Sequence, residues 1–130
     1  MTGILDNLCV AVVEDDESQR RALARLLRAA GMQSIAYASA EEFRSDLRQP
    51  RFHCLVVDVQ LPGMSGIELR DQLAAEGVAT PVLFLTAYDD PKARERALAG
   101  PCVGYFRKTA SGSEILEAIR HGVSILAPGS

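Results

Sequence analysis

The sequence predicts an α/β fold: a doubly wound, five-stranded parallel sheet with helices on both faces. Five short apolar segments, typical of buried strands, recur along the 130 residues, and a helical pattern follows each of them. Strands that alternate with helices in this way lie parallel and are joined by right-handed crossovers. The predicted strands cover residues 8–13, 34–38, 54–57, 82–85 and 103–106.

Signals for the start and end of five helices lie between and after these strands. Leu23, Leu26, Leu27 and Ala30 share one face of the first helix. A serine followed three residues later by glutamate, the capping-box pattern, opens the second, third and fifth helices. Aspartate before proline opens the fourth, and glycine ends the first and third. These signals are Ser39 with Glu42, Ser65 with Glu68, Ser111 with Glu114, Asp90 with Pro91, and the terminators Gly31 and Gly77.

Length and composition predict one globular domain. We place it at residues 7–125, with residues 126–130 as a tail or the start of a linker. Hydrophobic residues make up 48% of the chain and charged residues 24%, as is typical of globular domains. The net charge of −3 disfavours a nucleic-acid surface, which needs a basic patch. No apolar run is long enough to cross a bilayer.

The cysteines and the first residues predict a cytoplasmic protein. Cys9, Cys54 and Cys102 are an odd number of thiols, and the first two lie in or beside apolar runs. We therefore expect small buried thiols in a reducing compartment. The opening segment, Met1-Thr2-Gly3, lacks the charged start and apolar stretch of a signal peptide.

Acidic residues follow two of the predicted strands directly. Glu14, Asp15 and Asp16 come after the first strand, and Asp58 comes after the third. If these strands are neighbours, Asp15 and Asp58 converge at one edge of the sheet, where like charges repel unless a cation compensates. Oxygen ligands suit Mg²⁺, and Lys108 would complete a nearly neutral site. Two structural alternatives remain open: an acidic helix N-terminus for the triplet and an Asx turn for Asp58.

Five matches in the right order resemble the receiver domain of two-component response regulators. They span residues 8–123, nearly the whole chain, and the longest contains the aspartate followed by Leu-Pro-Gly-Met-Ser-Gly. The resemblance implies a flavodoxin-like fold with strand order 2-1-3-4-5. The matching segments are Val-Val-Glu-Asp-Asp at 12–16, Val-Asp-Val-Gln-Leu-Pro-Gly-Met-Ser-Gly at 57–66, Leu-Thr-Ala at 85–87, Tyr105 and Lys108.

The resemblance assigns a metal site. Asp58, Asp15 and Glu14 would hold Mg²⁺, with Glu14 acting through water because its side chain is one methylene longer. Gln60 would contribute its backbone carbonyl, so its side-chain type matters less. Asp16 fits this site least well, and we expect it to cap or line the first helix.

The resemblance also assigns the phosphoryl chemistry. Asp58 would be the phosphoacceptor, and Lys108 would pair with the phosphoryl oxygens. Thr86 would be the switch hydroxyl, and Tyr105 the aromatic residue that changes rotamer with it. These roles suit phosphoryl transfer, which needs an in-line nucleophile and positive charge near the equatorial oxygens.

The implied function is that of a phosphorelay receiver. It accepts a phosphoryl group from a sensor histidine kinase, a phosphotransfer protein or a small donor, and it has no other enzymatic activity. The fourth helix, fifth strand and fifth helix would control an output such as transcription, and in the family they commonly pair on phosphorylation, which makes a homodimer one expectation. No membrane or direct nucleic-acid partner is expected. Arg21, Arg25 and Arg28 share a face of the first helix, which is either solvated or a kinase-docking surface.

The chain departs from the family pattern at two positions. Thr109 follows Lys108 where the family usually has proline, and we predict a trans bond between them because a non-proline cis bond costs about 2.5–4 kcal/mol. Gly100-Pro101-Cys102 replaces the usual Gly-Ala before the fifth strand, which predicts a rigid or rearranged segment.

Three other functions compete with the receiver. A haloacid-dehalogenase-type phosphatase needs a second acid where Gln60 stands. A flavodoxin-like cofactor carrier would have its phosphate repelled by the acids at 14–16. A pseudo-receiver, which binds partners without being phosphorylated, has the same residues and stays open.

Overall fold

The computed structural model describes residues 8–46 and 51–126, which form a five-stranded parallel sheet between helices. The sheet order is β2-β1-β3-β4-β5 with all neighbours parallel, so the predicted fold class and strand order are confirmed. The elements are β1 Cys9–Val13, α1 Glu17–Ala29, β2 Gln33–Tyr37, α2 Ala40–Ser45, β3 Cys54–Asp58, α3 Gly66–Ala75, β4 Val82–Thr86, α4 Pro91–Leu98, β5 Gly104–Arg107 and α5 Gly112–Leu126.

The core is divided into two layers by the sheet. Alternate strand residues point to opposite faces, so Val10 and Val12 pack with α1 and α5, whereas Ala11 and Val13 pack with α2, α3 and α4. The central strands β3 and β4 are buried along their whole length, as expected for a parallel sheet that is covered on both sides. This burial fixes the strand ends, and therefore the residues that follow them.

The predicted helix signals lie where the helices begin and end. Ser65 and Glu68 form a complete capping box on α3, and Asp90 caps α4 with Pro91 as its first residue. The α2 cap is partial: Ser39 accepts from the Glu42 amide, but the Glu42 carboxylate accepts from the Ala38 amide instead of the Ser39 amide. Gly31 and Gly77 have φ angles of 83° and 80°, which glycine adopts at the end of a helix without strain.

The predicted domain limits, residues 7 and 125, lie close to the ends of the described residues. Helix α5 continues to Leu126, one residue past the predicted boundary, and residues 7 and 127–130 lie outside the described residues. Within the described ranges, no helix has both the length and the apolar composition needed to span a bilayer.

The three cysteines are free thiols in different surroundings. Cys54 is fully buried, whereas Cys9 and Cys102 are partly exposed. Burial was predicted for Cys9 too, but this residue is only partly buried, as the first residue of β1. Burial raises the pKa of the Cys54 thiol to about 12.

Cys54 is expected to resist alkylation in the folded protein at mildly alkaline pH. Its raised pKa lowers the thiolate fraction on the order of 10³-fold below that of a free cysteine, and the reagent cannot reach it. Mass mapping after brief iodoacetamide treatment should find labels at Cys9 and Cys102 first, and at Cys54 only in denaturant. Equal labelling of the three thiols in the native state would contradict the packing of β3.

Candidate metal centre and phosphoryl-acceptor site

Three carboxylates meet at the carboxyl end of β1 and β3. The two strands are adjacent, with Val13 opposite Val57, so the residues that follow leave the sheet at the same edge. One oxygen each from Glu14, Asp15 and Asp58 lies within 4.8 Å of the others. Glu14 and Asp58 are buried, and Asp15 is exposed to solvent. The predicted convergence of Asp15 and Asp58 is therefore present.

Lys108 places a positive charge between two of these carboxylates. Its Nζ donates a hydrogen bond of 2.9 Å to Asp58 Oδ2 and forms an ion pair of 2.8 Å with Glu14 Oε1. Burial lowers the pKa of the Lys108 ammonium, but Glu14 and Asp58 outweigh burial and raise it overall. The Lys108 amide also donates to the Thr86 carbonyl at 2.8 Å, which fixes the backbone from which this side chain extends.

Glu14 is held by one local hydrogen bond and by its ion pair with Lys108. Its Oε2 accepts from the Asp16 amide at 3.0 Å, and its buried Oε1 has the Lys108 ammonium at 2.8 Å but no other hydrogen-bond partner among the described residues. Burial raises the pKa of the Glu14 carboxyl, whereas Lys108 opposes this rise. A buried carboxylate oxygen beside two other acids suits a hard cation with oxygen ligands, so the residues present fit Mg²⁺.

The remaining acidic residue, Asp16, has the capping role that we expected. It is the N-cap of α1, and its side chain accepts from the Gln19 amide at 3.2 Å. Asp58 makes a local turn in addition to its place in the cluster, because its Oδ1 accepts from the Gln60 amide at 3.1 Å. The Gln60 side chain is exposed, and the metal-binding role of its backbone carbonyl stays a prediction.

Thr86 is the last residue of β4, and Tyr105 lies within the neighbouring strand β5. The Thr86 hydroxyl is buried; it donates to the Tyr88 carbonyl at 2.6 Å and accepts from the Tyr88 amide at 3.2 Å. Its proton is thus held by the β4–α4 loop in this conformation. Tyr105 Oη is buried without a well-oriented hydrogen-bond partner among the described residues, and the Tyr105 ring lies 5.8 Å from the Arg94 guanidinium. Burial raises the pKa of the Tyr105 phenol, whereas the Thr86 hydroxyl opposes this rise.

Sequence analysis missed Arg20, which secures the acidic loop. Its Nη1 donates to the carbonyl oxygens of Glu14 and Asp15, at 2.9 and 3.0 Å. The signal in the sequence was an arginine in the first turns of α1, four residues after an aspartate N-cap. The three arginines that we singled out instead, Arg21, Arg25 and Arg28, are exposed, and Arg21 pairs with Glu17 at 2.6 Å.

Glu41 was also missed, and it holds the loop after Asp58. The carboxylate of this α2 residue accepts from the Met64 amide at 2.8 Å. It lies against Gly63, which has a φ of +76° and where a Cβ would approach Glu41 Oε2 to 2.6 Å. Glu41 thus links α2 to residues 22 and 23 positions further along the chain, in the β3–α3 loop. This loop also contains Gln60.

Glu41→Ala is expected to weaken Mg²⁺ binding by about threefold to tenfold, the value of one hydrogen bond that orders a loop. Calorimetric titration with Mg²⁺ would measure the change. Glu41→Gln is the matched control, since its side-chain oxygen can still accept from the Met64 amide and should preserve most of the affinity. Equal Mg²⁺ affinities of the wild type and the alanine variant would show that Glu41 does not support metal binding.

Every peptide bond in the described residues is trans. This includes the bond between Lys108 and Thr109, as predicted. Pro101 precedes β5 in the loop that follows α4, and its carbonyl accepts a hydrogen bond from the buried Arg70 at 2.9 Å. This hydrogen bond joins the segment to α3, and the predicted rigidity or rearrangement of the segment stays a prediction.

Several curated proteins are similar in sequence to this chain over most of its length. The chain is 37% identical over 110 residues to Nodulation protein W of Bradyrhizobium diazoefficiens, which covers 85% of this chain and 48% of that protein. It is 31% identical over 119 residues to the response regulator protein TmoT of Ectopseudomonas mendocina, covering 92% of this chain and 54% of that protein. The chain thus spans about half the length of these relatives.

Solved structures resemble the fold over most of the chain. FixJ-N matches with a TM-score of 0.83 and 29% identity, covering 92% of this chain and 96% of that one. The response regulator StyR matches with a TM-score of 0.78 and 36% identity, covering 92% and 60% of the two chains. The model of the response regulator receiver domain matches residues 10–120. Together with the acidic cluster and its lysine, this match shows that the chain belongs to the receiver domain family of two-component response regulators.

Proposed function

We propose that this chain accepts a phosphoryl group on Asp58 from a sensor histidine kinase or a phosphotransfer protein, in a Mg²⁺-dependent reaction. The observation that carries the proposal is that three carboxylates converge on a single lysine, Lys108, which contacts both Asp58 and Glu14. A site made only for stability would balance each buried charge. Here one ammonium faces three carboxylates, so negative charge remains for a cation to compensate.

The transfer step follows from these residues. An Asp58 carboxylate oxygen attacks phosphorus, the bond between phosphorus and the donor histidine nitrogen breaks, and the imidazole retains the electron pair. Glu14, Asp15, Asp58 and the Gln60 carbonyl would hold Mg²⁺, which would supply positive charge near the phosphoryl oxygens. Lys108 supplies a further positive charge from the other side. It must exchange its Asp58 contact for a phosphoryl oxygen as charge moves onto the new group.

Thr86 is the proposed link to the output. Its hydroxyl exchanges the Tyr88 carbonyl for a phosphoryl oxygen, which releases the β4–α4 loop and leaves space for the Tyr105 ring. The new group adds negative charge and three acceptor oxygens, which compete for the Thr86 hydroxyl with the Tyr88 carbonyl. The face formed by α4, β5 and α5 would then bind a partner or a second copy of the chain.

The biological setting is proposed from the relatives. Several of them are regulators of transcription by name, such as FixJ of Azorhizobium caulinodans, so we propose an output of that kind and a cytoplasmic location. Self-phosphorylation and dephosphorylation at Asp58 are the only reactions that we assign.

Incubation with acetyl phosphate and Mg²⁺ tests the proposal. Intact mass spectrometry should show one labile phosphoryl group on the wild type and none on Asp58→Asn. The control is Asp16→Asn, which keeps a good helix cap and should be phosphorylated like the wild type. If the wild type gains no group and shows no response to beryllofluoride with Mg²⁺, the chain is a pseudo-receiver instead.

A further inference from the structure

Arg70 is a charged side chain in the core, far along the chain from the residues that it contacts. It belongs to α3 and is 3% exposed. Its Nη1 donates to the Ala97 and Pro101 carbonyls at 2.7 and 2.9 Å, and its Nη2 donates to the Arg96 carbonyl at 3.0 Å. Its Nε pairs with Asp71 at 2.7 Å. A buried guanidinium is tolerated only when its donors are used in this way.

These bonds make Arg70 a C-terminal cap of α4 that is supplied by another helix. The last carbonyls of a helix have no partner within the helix, and positive charge is favourable there. The Arg70 guanidinium also lies 5.3 Å from the centre of the Phe84 ring in β4. One side chain thus joins α3, α4, β4 and the segment that leads into β5.

Gly100 allows this arrangement because it has no side chain. A Cβ at this position would lie 2.7 Å from Arg70 Cζ and 2.9 Å from Nη2. Since those atoms are the far end of a flexible side chain, a larger residue at position 100 would displace the guanidinium before it displaced the backbone.

The other end of α4 has no buried cation from another helix among the described residues. Asp90 caps the Lys92 amide, Arg94 pairs with Asp89 at 3.8 Å, and the Arg94 guanidinium lies 5.8 Å from the centre of the Tyr105 ring in β5. The preceding loop is exposed, with Tyr88 at 71% exposure. The two ends of α4 therefore differ: hydrogen bonds from a buried cation of α3 hold the last turn, whereas the first turns have a local cap, exposed charged side chains and the packing of Ala93 against the core.

We propose that Arg70 is a positioning residue that fixes the C-terminal end of α4, so that the change caused by phosphorylation is confined to residues 87–94. The helix then pivots about its last turn and does not shift as a whole. This inference rests on the proposed function, because it concerns the response to a phosphoryl group at Asp58. It adds that Arg70 determines which residues of α4 change on phosphorylation.

Hydrogen exchange measured by mass spectrometry, with and without Mg²⁺ and beryllofluoride, tests the pivot. In the wild type, exchange should change in residues 87–94 and stay constant in residues 96–102. In Arg70→Gln, exchange in residues 96–102 should be on the order of tenfold faster without the ligand, the equivalent of one hydrogen bond to a charged group. Those residues should also begin to respond to beryllofluoride.

Two further variants separate the anchor from general stability. Gly100→Ala keeps the charge but displaces the guanidinium, and it should reproduce the pattern of Arg70→Gln. Arg96→Gln removes an exposed charge while keeping the carbonyl that Arg70 binds, and it should behave like the wild type. A lower melting temperature alone cannot move the change in hydrogen exchange from one end of α4 to the other.

The outcomes distinguish the two proposals. A wild type in which residues 96–102 respond as strongly as residues 87–94 overturns the pivot, as does unchanged exchange there in both Arg70→Gln and Gly100→Ala. If beryllofluoride leaves residues 14–16 and 58–60 of the wild type unchanged, the proposed function fails. The exchange of residues 96–102 in the ligand-free variants then still decides whether Arg70 anchors α4.

Discussion

Lys108→Met is expected to destabilise the Mg²⁺-free protein by about 3 kcal/mol at neutral pH, the cost of removing one partner from a buried ion pair. Glu14 and Asp58 would then face each other without a cation, and one of them would take up a proton. Mg²⁺ should restore much of the lost stability because it replaces the missing positive charge. The rate of phosphoryl transfer should fall by roughly 10²–10³, the usual effect of losing one group that stabilises a developing charge.

Urea denaturation with and without Mg²⁺ measures the first effect, and the rate of phosphorylation by acetyl phosphate measures the second. Lys92→Met is the matched control, since Lys92 is the other lysine of the chain and its side chain is exposed on α4. It should change neither quantity. Similar stability losses in the two variants would show that the Lys108 pairs contribute little.

Gly66→Ala should damage both the fold and the site. A Cβ at this first residue of α3 would lie 2.2 Å from the Asp58 carbonyl oxygen and 2.8 Å from Val57 Cγ1. The backbone of the phosphoacceptor cannot rotate away as a side-chain tip can. We therefore expect a loss of about 3 kcal/mol, at the upper end of overpacking costs, and a melting temperature lower by roughly 10 °C. Displacement of Asp58 should also reduce its phosphorylation.

Gly112→Ala is the control for this variant. Gly112 is the first residue of α5 and follows a serine, as Gly66 does in α3. Its Cβ would lie 2.6 Å from Leu26 Cδ1, a methyl group that can move. Calorimetric melting curves of the two variants should therefore differ by several degrees, with Gly66→Ala the less stable. Equal melting temperatures would mean that the backbone at the β3–α3 junction adjusts to the added methyl group at as little cost as the Leu26 side chain does.

The sequence predicted the elements well because burial and capping are local signals. Each buried strand appeared as a short apolar run, and Ser65 with Glu68 marked the start of α3. The strand limits were harder to predict, because backbone pairing continues beyond the apolar run. Asp58 and Thr86 belong to β3 and β4 although their side chains are polar. Strand β5 begins one residue later than predicted, at Gly104.

Part of the site was predicted too, because it also depends on local signals in the sequence. Acids and a lysine at strand ends are visible in a sequence, and the parallel sheet brings those ends together. Arg20, Glu41 and Arg70 were not found, because a charged residue in a helical pattern is usually solvated. Their partners are backbone amides and carbonyls, which leave no mark on the sequence, and Arg70 contacts carbonyls 26 to 31 residues away.

The acidic cluster, Lys108 and Thr86 lie at one rim of the sheet, which leaves the opposite rim available for a reporter group. Ala79 is exposed in the connection that precedes β4. At about 3.3 Å per strand residue, it lies roughly 20 Å from Thr86. A fluorophore attached there would be distant from the acidic cluster and from the first turn of α4, because only the end of α4 leads back to this rim. Such a labelled protein could report binding of a partner without occupying the surface that responds.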